Sequence, residues 1–217
     1  MNLRQLIKYI LWRDTTHHGE FSAIQRLMSP GVAKVVVDVG ANDGFYGSNS
    51  FHFVARGWKA ILIEPHPAVF AQLQERFKRA SHVTCLNIAC AESSGKRPLF
   101  LATDGTSPSL STLCVDPELL SRRGRSHETL LVPVETLADV LNARQIPKDF
   151  GLLSIDTEGM DYEVLLGLDC SVWHPRVIIT EDYKPKEAMK AEYLESHNYR
   201  LRARIKGGNT VWSLNAT

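Results

Sequence analysis

The stretch Val35-Val36-Val37-Asp38-Val39-Gly40-Ala41-Asn42-Asp43-Gly44 decides the fold, and Ile61-Leu62-Ile63-Glu64-Pro65 answers it further along the chain. An apolar run ending in a glycine turn, followed by a second apolar run capped by an acid, is how an α/β sheet offers backbone N–H groups and a carboxylate to a nucleoside cofactor. A dinucleotide turn reads G-x-G-x-x-G, because its second glycine lets the backbone approach a pyrophosphate. Here the pattern is Asp38-x-Gly40-x-x-x-Gly44 with Asn42 at the place of that second glycine, which would crowd a pyrophosphate.

An acid at a strand end suits a cationic ligand, since a carboxylate attracts an ammonium or sulfonium group and repels a diphosphate. S-adenosylmethionine carries both cations. Glu64, at the tip of the next strand, is then placed to accept hydrogen bonds from the ribose hydroxyls, as the equivalent acid does in NAD sites. Two ordinary βα turns with acids as helix caps would show the same residue types; the two turns together favour the cofactor reading.

The 217 residues suffice for one sizeable core. With 25 basic against 24 acidic residues there is no electrostatic reason to expect a nucleic-acid partner. The longest apolar runs fall far short of the ~20 residues that cross a bilayer. No secretory h-region and cleavage site are read at the amino terminus, so the expected address is the cytoplasm. Cys85, Cys90, Cys114 and Cys170 form no C-x-x-C pair and read as reduced, mostly buried thiols. The adjacent pair His17-His18 does not share a helix face, which argues against a metal site, and no metal is expected elsewhere.

Leu3, Leu6, Ile7, Ile10 and Leu11 have the spacing of an amphipathic helix. Residues 1–30 are therefore expected as a helical segment packing on, or lidding, the main domain over 31–217, with a second short helix from about Phe21 to Met28. The basic residues off the stripe and Trp12 also fit a weak membrane-surface contact of the first helix. From there apolar strands alternate with helical spacing, which argues a mostly parallel sheet of βαβ units. Strands are expected near 33–39, 59–63, 82–88, 150–155 and 176–181, and helices near 48–56, 67–79, 136–143, 161–168 and 186–197. Short strands near 97–101 and 130–134 bracket the polar stretch Thr103 to Glu128, read as a substrate loop. Tyr199 to Ile205 and Thr210 to Leu214, around Lys206-Gly207-Gly208-Asn209, read as a terminal antiparallel hairpin.

Leu152-Leu153-Ser154-Ile155-Asp156-Thr157-Glu158-Gly159 repeats the logic of the first turn. In open α/β sheets the ligand crevice lies outside the strand carboxyl ends, so Asp38, Glu64, Asp156 and Glu181 are expected on one rim.

With these motifs the chain resembles the FkbM family of S-adenosylmethionine-dependent methyltransferases. The residues that carry the resemblance are Asp38 to Gly44, Ser48-Asn49-Ser50, Gly57-Trp58-Lys59, Leu62-Ile63-Glu64-Pro65-His66-Pro67, Ser154 to Gly159, Tyr162-Glu163-Val164-Leu165 and the terminal hairpin, over roughly 33–214. The resemblance implies a Rossmann-like class I fold, an α/β architecture with a seven-stranded sheet whose last strand is antiparallel. It implies methyl transfer commonly to a hydroxyl of a small molecule, sugar or natural product. Carried over by position, Asp38, Gly40, Ala41, Asn42, Asp43 and Gly44 would surround the cofactor's methionine part, with Ser48 in the same set. Glu64 would hold the ribose, with Pro65 also in the cofactor-binding set, Asn87 and Ala89 would lie near the adenine, and Asp156 beside the methionine end and the acceptor. The chain departs from the commoner family pattern at Gly47 and Thr157.

Methyl transfer from a sulfonium is an in-line displacement, so positioning supplies most of the gain and no protein nucleophile is required. An aliphatic hydroxyl acceptor needs a general base. Asp156 is the first candidate, Glu158 the second and Glu181 the third; Asp156 as a cofactor anchor and Glu158 as a first-turn acid are the simpler roles. His66 is expected in the adenosine pocket or at the surface, and Trp58 and Trp173 in packing. A catalytically inactive cofactor-binding or interaction module has the same letters. A nicotinamide-dependent reductase is disfavoured by Asn42 and by Tyr183-Lys184, which are adjacent rather than four apart.

Overall fold

The computed structural model describes residues 16, 18–102, 111–113, 127–182 and 186–215. The amphipathic segment expected over 3–11, Cys114, Tyr183-Lys184 and most of the polar stretch 103–128 lie outside the described residues.

Helix α1 (Glu20–Leu27) leads into β1 (Val35–Val39), α2 (Phe51–Val54), β2 (Lys59–Ile63), α3 (Pro67–Phe77), β3 (Val83–Leu86) and β4 (Ala89–Cys90). There follow β5 (Gly95–Ala102), β6 (His127–Glu135), α4 (Leu137–Ala143), β7 (Asp149–Ile155), α5 (Asp161–Leu168), β8 (His174–Glu181), α6 (Glu187–Ser196), β9 (Tyr199–Arg204) and β10 (Asn209–Leu214). Seven strands form the main sheet in the order β3-β2-β1-β7-β8-β10-β9. β10 runs antiparallel to both β8 and β9, and the other pairings are parallel. This is the Rossmann-like class I arrangement, including the carboxyl-terminal hairpin.

β1 reads as an unbroken apolar run because both of its faces are covered, and all five of its residues are buried. Its side chains alternate between two cores. Val35, Val37 and Val39 join Ile61, Ile63, Leu153 and the inner faces of α4 and α5. Val36 joins Leu62, Leu152, Phe53 of α2, Leu73 of α3 and both Phe21 and Ile24 of α1. Asp38 and Ser154 fall on the same parity as Val36 and Leu152, directly opposite one another in register. They therefore emerge on the side where α2 begins. Trp58 and Trp173 belong to the two cores, as packing residues.

Four elements differ most from the sequence expectation. The strand read over 82–88 ends at Leu86, because Asn87 turns its Nδ2 to the carbonyls of Glu64 (2.8 Å) and Pro65 (3.1 Å), and the chain then leaves the main sheet. The segments near 97–101 and 130–134 are longer than expected and pair with each other; with β4 they make a second sheet in the order β4-β6-β5. Its small core of Ala89, Leu99, Val132, Val134 and Met160 sits beside the crevice. The helix expected over 48–56 is one turn, 51–54, since the Ser48 hydroxyl accepts from the N–H groups of Ser50 and Phe51 before it, and Gly57 at φ +77° ends the segment. Among the described residues no helix is long and apolar enough to cross a membrane. Cys85, Cys90 and Cys170 are free, and burial pushes the Cys90 and Cys170 thiols up to about 12.

Candidate functional site

β1 feeds β2 on one side while β7 flanks it on the other, so the crevice opens at the carboxyl ends of β1 and β7, the switch point of the sheet. A cavity of about 330 Å³ lies there. The turn after β1 forms its floor. The N–H groups of Gly40 and Ala41 both donate to the Ile63 carbonyl at 2.9 Å, and Asp156 N–H donates to Val39 O at 2.9 Å. Gly40 has φ +85°, and a Cβ there would stand 1.9 Å from the Asp156 carbonyl oxygen. Glycine is required on both counts.

Asp38, Gly40, Ala41, Asn42, Ser48, Glu64, Pro65, Ala89, Asp156 and Glu158 all line the cavity, as does Glu181. Asp43, Gly44 and Asn87 do not. The Asp43 carboxylate accepts from Phe45 and Tyr46 N–H and pairs with Arg76 at 2.7 Å, which braces the turn against α3. Gly44 fits under that helix: a Cβ would lie 2.5 Å from the Phe77 ring and 2.6 Å from Leu73. Asn87 holds the Glu64-Pro65 turn, as described above. His66 caps α3 by accepting from Ala68 N–H at 3.2 Å and is outside the lining; burial lowers its pKa.

Glu64 is 8% exposed. Asn42 N–H donates to its Oε2 at 3.0 Å and His66 N–H to its Oε1 at 2.8 Å. Burial nevertheless dominates these donors and raises its pKa to about 7, with the Asp38 charge adding to the rise. Asp38 is buried, and Ser50 Oγ donates to its Oδ2 at 2.5 Å. Burial raises its pKa against the opposing hydroxyls of Ser50 and Ser154.

Asp156 keeps partial exposure on the cavity wall. Its pKa is held well above the usual carboxylate range, first by burial and then by the charges of Glu181, Glu158, Asp161 and Asp38. Behind it Asp161 ties the turn to β8, its Oδ1 accepting from Thr157 N–H (3.0 Å) and Thr157 Oγ1 (2.6 Å) and its Oδ2 from Glu181 N–H (2.8 Å). Glu158 sits at φ +57°, with its carbonyl accepting from Thr112 Oγ1 at 2.8 Å, so the Asp156 turn is also tied to the second sheet through the Phe100–Thr112 bridge.

Several wall residues had no role in the sequence reading. Ser154 was legible as a hydroxyl within a buried apolar strand. His18, Thr112 and Asn209 reach the cavity from distant parts of the chain, with no local motif. Buried Glu20 links two of them, accepting from His18 N–H at 2.8 Å and from Asn209 Nδ2 at 2.9 Å.

Comparison with solved structures gives an FkbM methyltransferase from Methylobacillus flagellatus KT at 17% identity and TM-score 0.52, covering 82% of this chain and 42% of that one. The chain thus spans less than half the length of that protein. A precorrin-6y C5,15-methyltransferase from Geobacter metallireducens GS-15 aligns at 13% identity and TM-score 0.47, covering 90% of this chain and 86% of that one. No curated protein matches the chain. The methyltransferase FkbM domain matches residues 38–201, from the acid of the first turn to the terminal hairpin. The chain belongs to the FkbM family of methyltransferases.

Proposed function

We propose that this chain transfers a methyl group from S-adenosylmethionine to a hydroxyl oxygen of a small-molecule, sugar or other glycan, or natural-product acceptor, with Asp156 as general base. The methyl donor follows from the family; the acceptor class and the residue roles are our reading. The observation that carries it is the meeting of Asp38, Glu64 and Asp156 on one cavity at the switch point. The wall fits the donor, since Glu64 has backbone donors on one side and faces the cavity with its remaining lone pairs, and carboxylates surround the place of a cation.

When bound, the cofactor supplies an electrophilic methyl group on a sulfonium sulfur. Asp156 would take the acceptor's hydroxyl proton, leaving the oxygen as the nucleophile for that methyl group. Burial, and after it the neighbouring carboxylates, make it a stronger base than a solvated acid. Glu158 and Glu181 orient the acceptor from the same wall, and Glu158 is the second candidate for the base. Asp38, Gly40, Ala41, Asn42, Ser48 and Pro65 hold the cofactor, Ala89 flanks its adenine end, and Asp43, Gly44 and Asn87 act through the turns they brace. Residues 31–217 form the catalytic domain in this reading, and of the preceding segment the helix Glu20–Leu27 packs on it through Phe21 and Ile24.

The test has two stages. S-adenosylhomocysteine should raise the melting temperature of the purified chain and NADH should not. Labelled S-adenosylmethionine with a panel of hydroxylated acceptors should then yield an ether-linked methyl group, and Asp156→Asn should lower turnover by about 100-fold or more while retaining S-adenosylhomocysteine affinity. Full turnover in that variant, or methyl groups found on nitrogen or carbon, would overturn the assignment.

A further inference from the structure

The strand ends on the cavity rim come in the order β2, β1, β7 and β8, followed by the beginning of the antiparallel β10. The wall therefore runs from Glu64 through Asp38 and Asp156 to Glu181, and then to Asn209, which pairs with Glu181 across β8 and β10. The cofactor reading above uses the end from Glu64 to Asp156. The remaining end is closed by Glu181, Asn209 and Gly207, together with His18 from the turn ahead of α1.

His18 is held at this end from two directions. Glu20, 1% exposed, accepts from His18 N–H through Oε2 at 2.8 Å and from Asn209 Nδ2 through Oε1 at 2.9 Å, so one buried carboxylate fixes both wall residues. The imidazole lies on Gly207, where a Cβ would stand 2.6 Å from both Cδ2 and Nε2 of the ring, and the backbone there has φ +99°. Burying a carboxylate is costly. The core does not require this arrangement, since α1 already docks through Phe21 and Ile24 while the His18 side of the turn is exposed. What the arrangement does is present an imidazole to the cavity.

We propose that His18 is a specificity-determining residue of the methyl acceptor site, and that the Glu181–Asn209 end of the cavity takes a polyhydroxylated ring free of phosphate and carboxylate groups. The inference rests on the transfer reading above and adds to it a residue and a charge class. Among the described residues the wall holds Asp38, Glu64, Asp156, Glu158 and Glu181 and neither lysine nor arginine, so an anionic acceptor would meet like charges with nothing to oppose them. Hydroxyls suit the same wall, because they donate to carboxylates and exchange hydrogen bonds in either direction with an imidazole. Met160 and Leu99 line the cavity from the side of the second sheet and offer apolar surface to the C–H faces of such a ring.

The test offers labelled S-adenosylmethionine with methyl pyranosides of the common hexoses, pentoses and deoxyhexoses and with myo-inositol, beside the matching uronates and phosphate esters. Methyl groups should pass to members without an anion, with kcat/KM at least about tenfold lower for the anionic partners. For the best member, His18→Ala should raise the acceptor KM about fivefold to tenfold, as loss of a hydrogen bond does, with kcat within about threefold and S-adenosylhomocysteine affinity unchanged in titration calorimetry. Gly207→Ala, which displaces the ring and leaves His18 in place, should reproduce the rise in KM and add nothing further in the His18→Ala protein. An unchanged KM in both variants, additive effects of the two, or a matching loss of S-adenosylhomocysteine affinity overturns the role of His18. Transfer to the anionic members at an equal or higher rate, or to no member by a protein that binds S-adenosylhomocysteine, overturns the acceptor class. Failure of the unsubstituted protein to bind S-adenosylhomocysteine refutes the cofactor reading itself, which is a separate outcome.

Discussion

Glu64 makes cofactor affinity depend on pH in a direction the structure determines. Its carboxyl titrates at about 7 in the folded protein because burial outweighs its two backbone donors. A pair of ribose hydroxyls donating to the carboxylate favours the ionised form, so below pH 7 the protein must release a proton on binding. For a bound-state pKa well below 5.5, the free-protein pKa of about 7 predicts that the dissociation constant for S-adenosylhomocysteine rises about 25-fold between pH 7.5 and 5.5, with about 0.9 proton released per ligand at pH 6. Calorimetry in two buffers of different ionisation enthalpy measures both quantities. Glu64→Gln isolates the contribution, since Asp38 and Asp156 also have raised values. A carboxamide has a single acceptor oxygen for the Asn42 and His66 backbone donors together, so this variant should also bind about 10-fold to 100-fold more weakly at pH 7.5. The same shift acts on stability without ligand. The folded pKa exceeds the ordinary 4.5, so stability from this group is full below that value and declines by about 3 kcal/mol as pH rises from 4.5 to about 7. A flat affinity across this range in the unsubstituted protein, without proton release, would refute the placement of Glu64 against the ribose.

Two further perturbations read the scaffold. Gly40→Ala combines left-handed backbone strain with overlap on the Asp156 carbonyl, and should destabilise by about 3 kcal/mol or more, a melting shift of about 6–12 °C; Gly31→Ala, at φ +87° with nothing within 4 Å, should cost only about 1 kcal/mol, and equal shifts would refute the close approach. Lys190 is 3% exposed and donates to Glu181 O and to Asp182 Oδ1 at 2.8 Å, so Lys190→Met should destabilise by about 3–5 kcal/mol in chemical denaturation. The loss should be greater at pH 8 than at pH 5, because Asp161, already raised by burial, loses the cation that opposes the rise.

What the sequence revealed of this protein follows the range of the forces involved. The β1 run and its glycine turn were readable because a strand buried on both faces has to be apolar throughout, and because a chain passing 1.9 Å short of a Cβ has to use glycine. Glu64 and Asp156 were readable because strand ends in a parallel sheet converge on one rim. Asn87 and Asp43 look like ligand residues by position, yet the Asn87 Nδ2 bonds the Glu64 and Pro65 carbonyls and the Asp43 carboxylate bonds Phe45 and Tyr46 N–H and Arg76, which a one-dimensional pattern does not separate from a ligand contact. The second sheet was missed for a different reason: β5 and β6 find each other across residues 103–126, and such pairing leaves only two short β-prone segments in the sequence. Asn49 combines both limits. Its motif was visible, but the Ser154 hydroxyl that holds its amide lies 105 positions away, on β7. Turn chemistry is local and survives in the sequence; the orientation of a buried amide is decided by residues more than 100 positions apart, and only the folded chain brings them together.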